Sequence, residues 1–331
     1  MKYSVIIPVY NRPDEVNELL ESLACQNRDM SDVEVIVAED GSALKCEDIV
    51  ESYAPAVNVR YYYKSNSGPG PTRNFAAERA TGDYLIILDS DTVLPPDYFN
   101  AIDRELASRD TDAFGGPDKA HKDFSPIQKA ISYGMTSFFT TGGIRGGKKK
   151  MDKFYPRSFN MGIKRSVYQE LGGFSKMRFG EDIDLSLRIF KNGHSCRLFP
   201  EAWVWHKRRT DLKKFFKQVY NSGIARIHLH KRHPGSMKLV HLLPAVFTLG
   251  TLVLLLGELF CPWSVLPLVA YALLIFIDAS RQEKSLKVGL LAVAASFVQL
   301  IGYGTGFITA FWRCIILREG EFSAYDKTFY K

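Results

Sequence analysis

Two carboxylates one residue apart, Asp89 and Asp91, follow the apolar run Tyr84-Leu85-Ile86-Ile87-Leu88 and precede Thr92-Val93-Leu94-Pro95-Pro96. A short apolar run of this kind reads as a buried strand of a parallel sheet. Two prolines cannot continue a central strand, so the acidic pair stands where the strand ends. Ligands of open α/β sheets bind outside those carboxyl ends. Carboxylates this close repel each other unless a cation offsets them, and a hard divalent ion bridging to phosphate oxygens is such a cation. The other reading of Asp-Ser-Asp before Thr and Pro is a turn or a helix cap, and the pair alone leaves both open. Two more acidic sites fall at joints: Asp40 in Glu39-Asp40-Gly41-Ser42, and Glu181-Asp182 after Gly180. Taken singly, Asp40 reads as a turn and Asp182 as a charge favoured at a helix N-terminus. His206 ends a short extended piece just before Lys207, Arg208 and Arg209.

The elements that must position these residues alternate. Residues 3–10 are a β-branched run, a first strand, and Asn11-Arg12-Pro13-Asp14 turns into a helix with Val16, Leu19, Leu20 and Leu23 on one face. Strands follow at 33–38 and 57–63. The loop 65–71 opens a helix at Thr72, and the strand at Tyr84 is the fourth. This strand–helix spacing predicts βαβ units and a parallel sheet. Beyond Pro96 the alternation loosens. A strand is expected at 113–116, a Gly- and Lys-rich mobile loop at 141–150, and helices at 165–171 and 183–191. Extended pieces are expected at 196–199 and 202–205.

With 331 residues the length predicts about two domains. Five scattered cysteines, an odd count without Cys-x-x-Cys spacing, argue against a zinc site and a disulfide framework, and suggest a reducing compartment for the soluble part. The first residues reach Asn11-Arg12-Pro13 too soon for a signal peptide, so the first domain is expected to stay where it is made. The net charge of +7 admits nucleic acid, anionic phosphate ligands or a membrane surface. The basic residues gather between Arg145 and Lys238, just before apolar stretches, which disfavours nucleic acid. The segment 145–153 reads instead as a loop covering a diphosphate or an acceptor site.

Residues 239–257, 259–277 and 288–312 carry no Asp, Glu, Lys or Arg. Uncharged apolar stretches of about 18 residues or more are transmembrane candidates. The expected organisation is therefore a catalytic domain, residues 1–235, and a membrane region, residues 236–331, with two or three spans. Within the first, 210–235 reads either as an interfacial helix or as a surface helix packed on the domain. Lysines and arginines beside the spans place the first domain and the 278–287 loop in the cytoplasm. The third stretch either spans, or is broken by Gly302-Tyr303-Gly304-Thr305-Gly306 into a re-entrant pair.

In this order and spacing the motifs resemble a known family, the family 2 inverting glycosyltransferases. The matching text is Val5-Ile6-Ile7-Pro8-Val9-Tyr10-Asn11, Glu39-Asp40-Gly41-Ser42, Gly70-Pro71-Thr72-Arg73-Asn74, Leu88-Asp89-Ser90-Asp91, Gly172-Gly173-Phe174 and Gly180-Glu181-Asp182-Ile183-Asp184-Leu185. It runs from about residue 2 to about residue 226. The resemblance implies the nucleotide-diphospho-sugar transferase fold called GT-A, an α/β fold with a mostly parallel central sheet, here followed by C-terminal transmembrane helices. It implies that Asp40 accepts from the nucleotide base, in a pocket lined by Pro8 and Tyr10 with Asn11 nearby. Arg73 and Asn74 would hold the nucleotide side, and Asp89 the ribose or donor sugar. Asp91, with Asp89 and His206, would bind Mn2+ or Mg2+. Asp182 would be the general base, with Glu181 beside it, and Arg226 would touch the diphosphate.

The activity so implied transfers a sugar from a nucleotide-diphosphate sugar, UDP by default, to a hydroxyl of a lipid-linked or membrane-proximal glycan. The setting would be cell-envelope polysaccharide synthesis at the inner membrane, by a multi-pass protein with its catalytic domain in the cytoplasm. Processive members carry Gln-x-x-Arg-Trp. Here Gln218 and Arg226 are separated by seven residues and no Trp follows, which predicts a non-processive enzyme. The alternatives are a polyprenyl-phosphate acceptor, which would not need Asp182 as base, and a non-catalytic sugar-nucleotide-binding scaffold.

Overall fold

The structure is a computed structural model and describes residues 1–119, 124–142 and 154–323. In chain order it begins β1 (Tyr3–Val9), α1 (Pro13–Ala24), β2 (Val33–Asp40), α2 (Glu47–Tyr53), β3 (Val59–Lys64), α3 (Pro69–Ala77), β4 (Tyr84–Leu88), β5 (Thr92–Val93), α4 (Tyr98–Ser108), β6 (Ala113–Gly115) and β7 (Asp118–Lys119). Then come α5 (Pro126–Thr136), α6 (Phe138–Thr141), β8 (Asn160–Lys164), α7 (Arg165–Glu170), α8 (Glu181–Lys191), β9 (Cys196–Leu198) and β10 (Val204–His206). Four helices close the described chain: α9 (Leu212–Arg232), α10 (Leu243–Gly257), α11 (Leu266–Glu283) and α12 (Leu286–Ala310). The expected loop at 141–150 and the segment 145–153 lie almost wholly outside the described residues.

The described residues form two compact units, 1–119 with 154–207, and 124–142 with 208–323. The boundary expected at residue 235 therefore falls earlier, and α5 and α6 belong with the C-terminal helices. In the first unit a seven-stranded sheet has the order β3-β2-β1-β4-β8-β6-β9. β1 pairs in parallel with β2 and β4, and β2 with β3, while β8 runs antiparallel between β4 and β6. β1 and β4 are buried on both faces, as continuous apolar runs require. One layer of core packs Val16, Leu19, Leu20 and Leu23 of α1 with Tyr98, Phe99 and Ile102 of α4; the opposite layer packs α3, α7 and α8. Order β3-β2-β1-β4 sends β1, β2 and β4 to one edge with their carboxyl ends together, so Asn11, Asp40 and Asp89 emerge there.

A second, three-stranded sheet, β5-β10-β7, was invisible in the sequence pattern. β5 is two residues long, cut off by Pro95-Pro96, yet it pairs antiparallel with β10 in the register His206↔Thr92.

In the second unit α9 and α12 run in the same direction in backbone contact. A Cβ on Gly223 would stand 2.1 Å from Tyr303 O, and one on Gly306 would stand 2.0 Å from Tyr220 O. Glycine is thus required for the approach. α12 is continuous through Gly302, Gly304 and Gly306, and the helical path extends to Ile316 with a widened last turn. Of the two alternatives for this stretch, the re-entrant break is not formed, because those glycines serve packing. α9 buries Phe215, Val219, Asn221 and Ile227 completely or nearly so, so it is a packed helix of this unit, not a bare interfacial one.

Two helical stretches, Pro262–Glu283 and Leu286–Ile316, are long and apolar enough to cross a membrane. The span expected at 239–257 is shorter: Leu239–His241 form a separate 3-10 turn, and α10 has 15 residues. At 1.5 Å per residue that is about 22 Å, against a hydrocarbon core of about 30 Å.

Candidate metal and donor site

The site grows from the end of β4. The carbonyl of Asp89 accepts from Thr92 N, 3.1 Å, and from Thr92 Oγ1, 2.7 Å, closing a turn that brings both acidic side chains to one place. The turn and the cation reading of Asp89-Ser90-Asp91 are thus compatible: the turn is what aims the carboxylates. β5 leaves that turn and recruits β10. Lys207 N donates to Asp91 O at 3.1 Å, and the pairing sets His206 Nε2 3.2 Å from Asp91 Oδ1. The imidazole stacks on Phe159, with ring centroids 4.7 Å apart. One ligand atom each from Asp89, Asp91 and His206 lies within 4.8 Å of the others. Two carboxylates and an imidazole suit Mn2+ or Mg2+, so the donor set fits the ion inferred from the sequence. Arg12 Nη1 sits 2.9 Å from the other oxygen of Asp91 and 3.3 Å from Glu15. The two anions hold its guanidinium above its usual range against the opposing effect of burial.

Arg73 is placed differently from expectation. Its side chain is 4 % exposed and bridges two carboxylates: Nη2 to Asp89 Oδ1 at 2.7 Å, Nη1 to Glu181 Oε1 at 3.0 Å. It lies over the Phe174 ring at 5.1 Å. Burial opposes its charge, but Asp89 and Glu181 more than offset this and raise it. Burial raises Glu181, and the neighbouring Asp182 adds to it, against the lowering by Arg73. Arg73 therefore ties the strand end that carries Asp89 to the helix start that carries Glu181 and Asp182, both in the first turn of α8.

Asn74 likewise holds protein. Its Oδ1 accepts from Phe174 N at 2.8 Å and Tyr168 Oη at 2.6 Å, and its Nδ2 donates to Phe174 O at 2.8 Å. Gly173 adopts φ 66°, and a Cβ there would meet Asn74 Oδ1 at 2.5 Å. The Gly172-Gly173 turn is further fixed by Arg188, whose Nη1 and Nη2 donate to Leu171 O and Gly173 O.

Asp40 is buried and shapes the loop that opens α3. Oδ1 accepts from Lys64 Nζ at 2.7 Å and Ser67 N at 2.8 Å, and Oδ2 accepts from Gly68 N at 2.8 Å. Asn11, at φ 53°, donates its N–H to Ser42 Oγ and accepts from Ala43 N and Leu44 N, clamping the β1 end to the Asp40-Gly41-Ser42 turn. The register Val9↔Glu39 stations Tyr10, 44 % exposed, beside Asp40, with half-buried Pro8 opposite Ala38.

Asp182 is engaged as well: Oδ1 accepts from Ile183 N at 2.8 Å, and Oδ2 is 2.6 Å from Arg157 Nε. Nothing in the sequence pattern pointed to Arg157, because its partner lies 25 residues on and on another element. Arg226 belongs to α9 in the second unit. Its Nε is buried without a hydrogen-bond partner among the described residues. Nearby, His241 is pushed down to about 4 by burial and by the charges of Arg226 and Lys238.

A mostly parallel sheet whose strand ends gather two carboxylates and a histidine fits the nucleotide-diphospho-sugar class of fold. The chain belongs to glycosyl transferase family 2, whose family model, "Glycosyl transferase family 2", matches residues 4–172. Among curated relatives, poly(ribitol-phosphate) beta-N-acetylglucosaminyltransferase TarS of Staphylococcus aureus is 40% identical over 102 residues, 30% of this chain and 17% of that protein. Validoxylamine A glucosyltransferase of Streptomyces hygroscopicus subsp. jinggangensis is 25% identical over 230 residues, 60% of this chain and 54% of that one. The chain thus spans well under two thirds of these relatives. Among solved structures, the mannosyltransferase PcManGT from Pyrobaculum calidifontis, in complex with GDP-Man and Mn2+, has a TM-score of 0.64 at 18% identity, over 90% of this chain and 87% of that one. S. aureus TarS 1-349 with UDP-GlcNAc has a TM-score of 0.52 at 19% identity, over 93% and 91%. The fold is shared with both.

Proposed function

We propose that the chain is a metal-assisted, inverting, non-processive glycosyltransferase. It would move a sugar from a nucleotide-diphosphate donor to a hydroxyl of a lipid-linked or membrane-proximal glycan. The observation that carries this reading is the convergence of Asp89, Asp91 and His206 within 4.8 Å, with Arg73 joining Asp89 to the start of the helix that bears Asp182. Donors bound in the structural neighbours, UDP-GlcNAc and GDP-Man, support a nucleotide-sugar donor of either base. Asp40 faces the base with Pro8 and Tyr10 beside it; Asp89 orients the sugar. A divalent ion on Asp89, Asp91 and His206 would neutralise the departing diphosphate. Asp182 takes the acceptor hydroxyl's proton as that oxygen attacks the anomeric carbon from the face opposite the diphosphate. One displacement inverts the centre, so no carboxylate nucleophile is required.

Membrane contact is supported by α10 and α11. Leu259, Phe260 and Trp263 at the turn between them are 79%, 91% and 72% exposed, and Val253 and Leu256 more than half. Apolar side chains this exposed at the turn between two helices suit lipid. Lysines and arginines on both sides of this segment favour a cytoplasmic catalytic unit beside a membrane.

The test is nucleoside diphosphate release from a panel of UDP-, GDP- and dTDP-sugars on membranes, with and without EDTA. Release that EDTA abolishes and Asp182→Asn reduces by about 10^2 or more supports the reading. EDTA-insensitive release would remove Asp91 and His206 from their roles. Near-normal turnover by Asp182→Asn would favour a polyprenyl phosphate acceptor, which is already ionised.

A further inference from the structure

The Asp182–Arg157 pair is a problem for a general base. Both oxygens of Asp182 are occupied, one by its neighbour's N–H and one by the Arg157 guanidinium. Oδ2 has a lone pair left, but Asp182 is nearly buried and its guanidinium partner is the more exposed of the two, so a group arriving from solvent meets Arg157 before the base. The backbone around Arg157 is pinned in place. Arg157 O accepts from Asn160 N at 3.0 Å, and Asn160 is itself bonded to Tyr98 Oη and Ala202 O. Pro156 O lies 3.2 Å from Ser186 Oγ, which is also 2.8 Å from Asp182 O one turn back along α8. Release must therefore come from the side chain. Asp182 is 9% exposed, but the Arg157 side chain is 39% exposed, so solvent-borne groups reach the guanidinium while the base behind it stays covered. A guanidinium presents several N–H donors in a fork that matches a carboxylate or a phosphate.

We propose that Arg157 is an oxyanion-binding residue on the acceptor side, which keeps Asp182 covered until a phosphate or carboxylate carried by the acceptor takes the guanidinium away. The substrate class this selects is an anionic acceptor, with its charge near the hydroxyl that is glycosylated. The inference rests on Asp182 as base. It also accounts for how wasteful hydrolysis is restrained. In hydrolysis a water oxygen bonds to the anomeric carbon, the bond from that carbon to the diphosphate oxygen breaks, and Asp182 takes the water's proton. Water carries no anion to draw Arg157 off.

Asp182 and the anion compete for one guanidinium, so the two must be coupled. The test titrates glycerol 3-phosphate, with glycerate and glycerol as comparisons, into the full-length protein in detergent with UDP and Mg2+ present, read by calorimetry. Wild type should bind the phosphate in the range of ~1 mM and not bind glycerol; the ratio of phosphate to glycerate tells which oxyanion is preferred. Arg157→Gln should weaken binding by about tenfold or more, Arg157→Lys by less, and Asp182→Asn should strengthen it several-fold. In parallel, donor hydrolysis should rise several-fold in Arg157→Gln. The idea is overturned if wild type binds no phosphate, if Arg157→Gln binds as wild type does, if Asp182→Asn gains nothing, or if hydrolysis in Arg157→Gln falls. Failure of the base assignment shows separately, as hydrolysis retained in Asp182→Asn whatever the titrations give.

Discussion

Replacing Asn74 by alanine separates two roles for this residue. The sequence resemblance gives it to the nucleotide; the structure spends its amide on the Gly173-Phe174 turn. Removal deletes three hydrogen bonds, to Phe174 N, Phe174 O and Tyr168 Oη, at 2.6–2.8 Å. Phe174 is 3% exposed and Tyr168 4%, so their polar groups do not regain water freely. An orphaned buried group costs about 1–3 kcal/mol. Three of them, less what relaxation and an entering water recover, come to about 3 kcal/mol. For a unit of this size that lowers the melting temperature by about 6–12 °C. The damage should spread to the site by one path: Phe174 carries the ring under Arg73, and Arg73 holds Asp89 and Glu181. The assay pairs thermal melts with calorimetric UDP binding. Asn74→Ala should lose the predicted stability yet bind UDP within about threefold at a temperature where it is folded, a difference of about 0.7 kcal/mol. Unchanged melting with UDP affinity down tenfold would refute this and restore Asn74 to the nucleotide.

Three further outcomes are expected. Arg73→Ala strands Asp89 and buried Glu181 without their cation and should cost about 3–5 kcal/mol, and Arg73→Lys, lacking the fork that spans both, should restore little in a denaturant titration. His206→Ala removes one of three donor groups and should weaken Mn2+ binding by at least the roughly 10–100-fold that loss of an outer-shell partner costs, followed by calorimetry on detergent-solubilised protein. Gly223→Ala places a methyl 2.1 Å from Tyr303 O and 2.7 Å from Phe307 N; both are backbone atoms that cannot swing aside, so at least 1–3 kcal/mol, about the cost of overpacking, should be lost from the helical unit, visible as faster protease cleavage of α9.

Much of this was readable in the sequence because it is local. The runs at residues 3–9, 33–40 and 84–88 fix their own strand character, and the turn residues after them fix where the acidic groups emerge. Asp89, Asp91 and His206 could be named from their motifs. That His206 arrives beside Asp91 depends on a two-residue strand, β5, whose pairing with β10 over more than a hundred residues has no local signature. Arg73 illustrates another limit. Its charge and its place at the start of α3 are plain in the sequence, but whether a guanidinium faces a ligand or two carboxylates is decided by packing. The same holds for Arg157. The apolar stretch from 288 to 312 is plain in the sequence, but whether its glycines break the helix or serve packing is decided by contacts, with α9 at Gly302 and Gly306 and with α10 at Gly304.

That contact bears on how the last helix can lie. Hydropathy alone treats residues 286–316 as a rod free to cross a bilayer. The rod is not free: its second half is joined to α9 at Gly223, Gly302 and Gly306, and Arg232 of α9 forms a two-pronged ion pair with Glu321 beyond its end. Whatever path that half takes, α9 takes with it, carrying Asn221, Arg226, His228, Lys231 and Arg232. Asn221 and His228 are buried, so passage through hydrocarbon would cost chiefly through Arg226, Lys231 and Arg232. The joined helices therefore move as one body, and α12 cannot tilt or shift without α9.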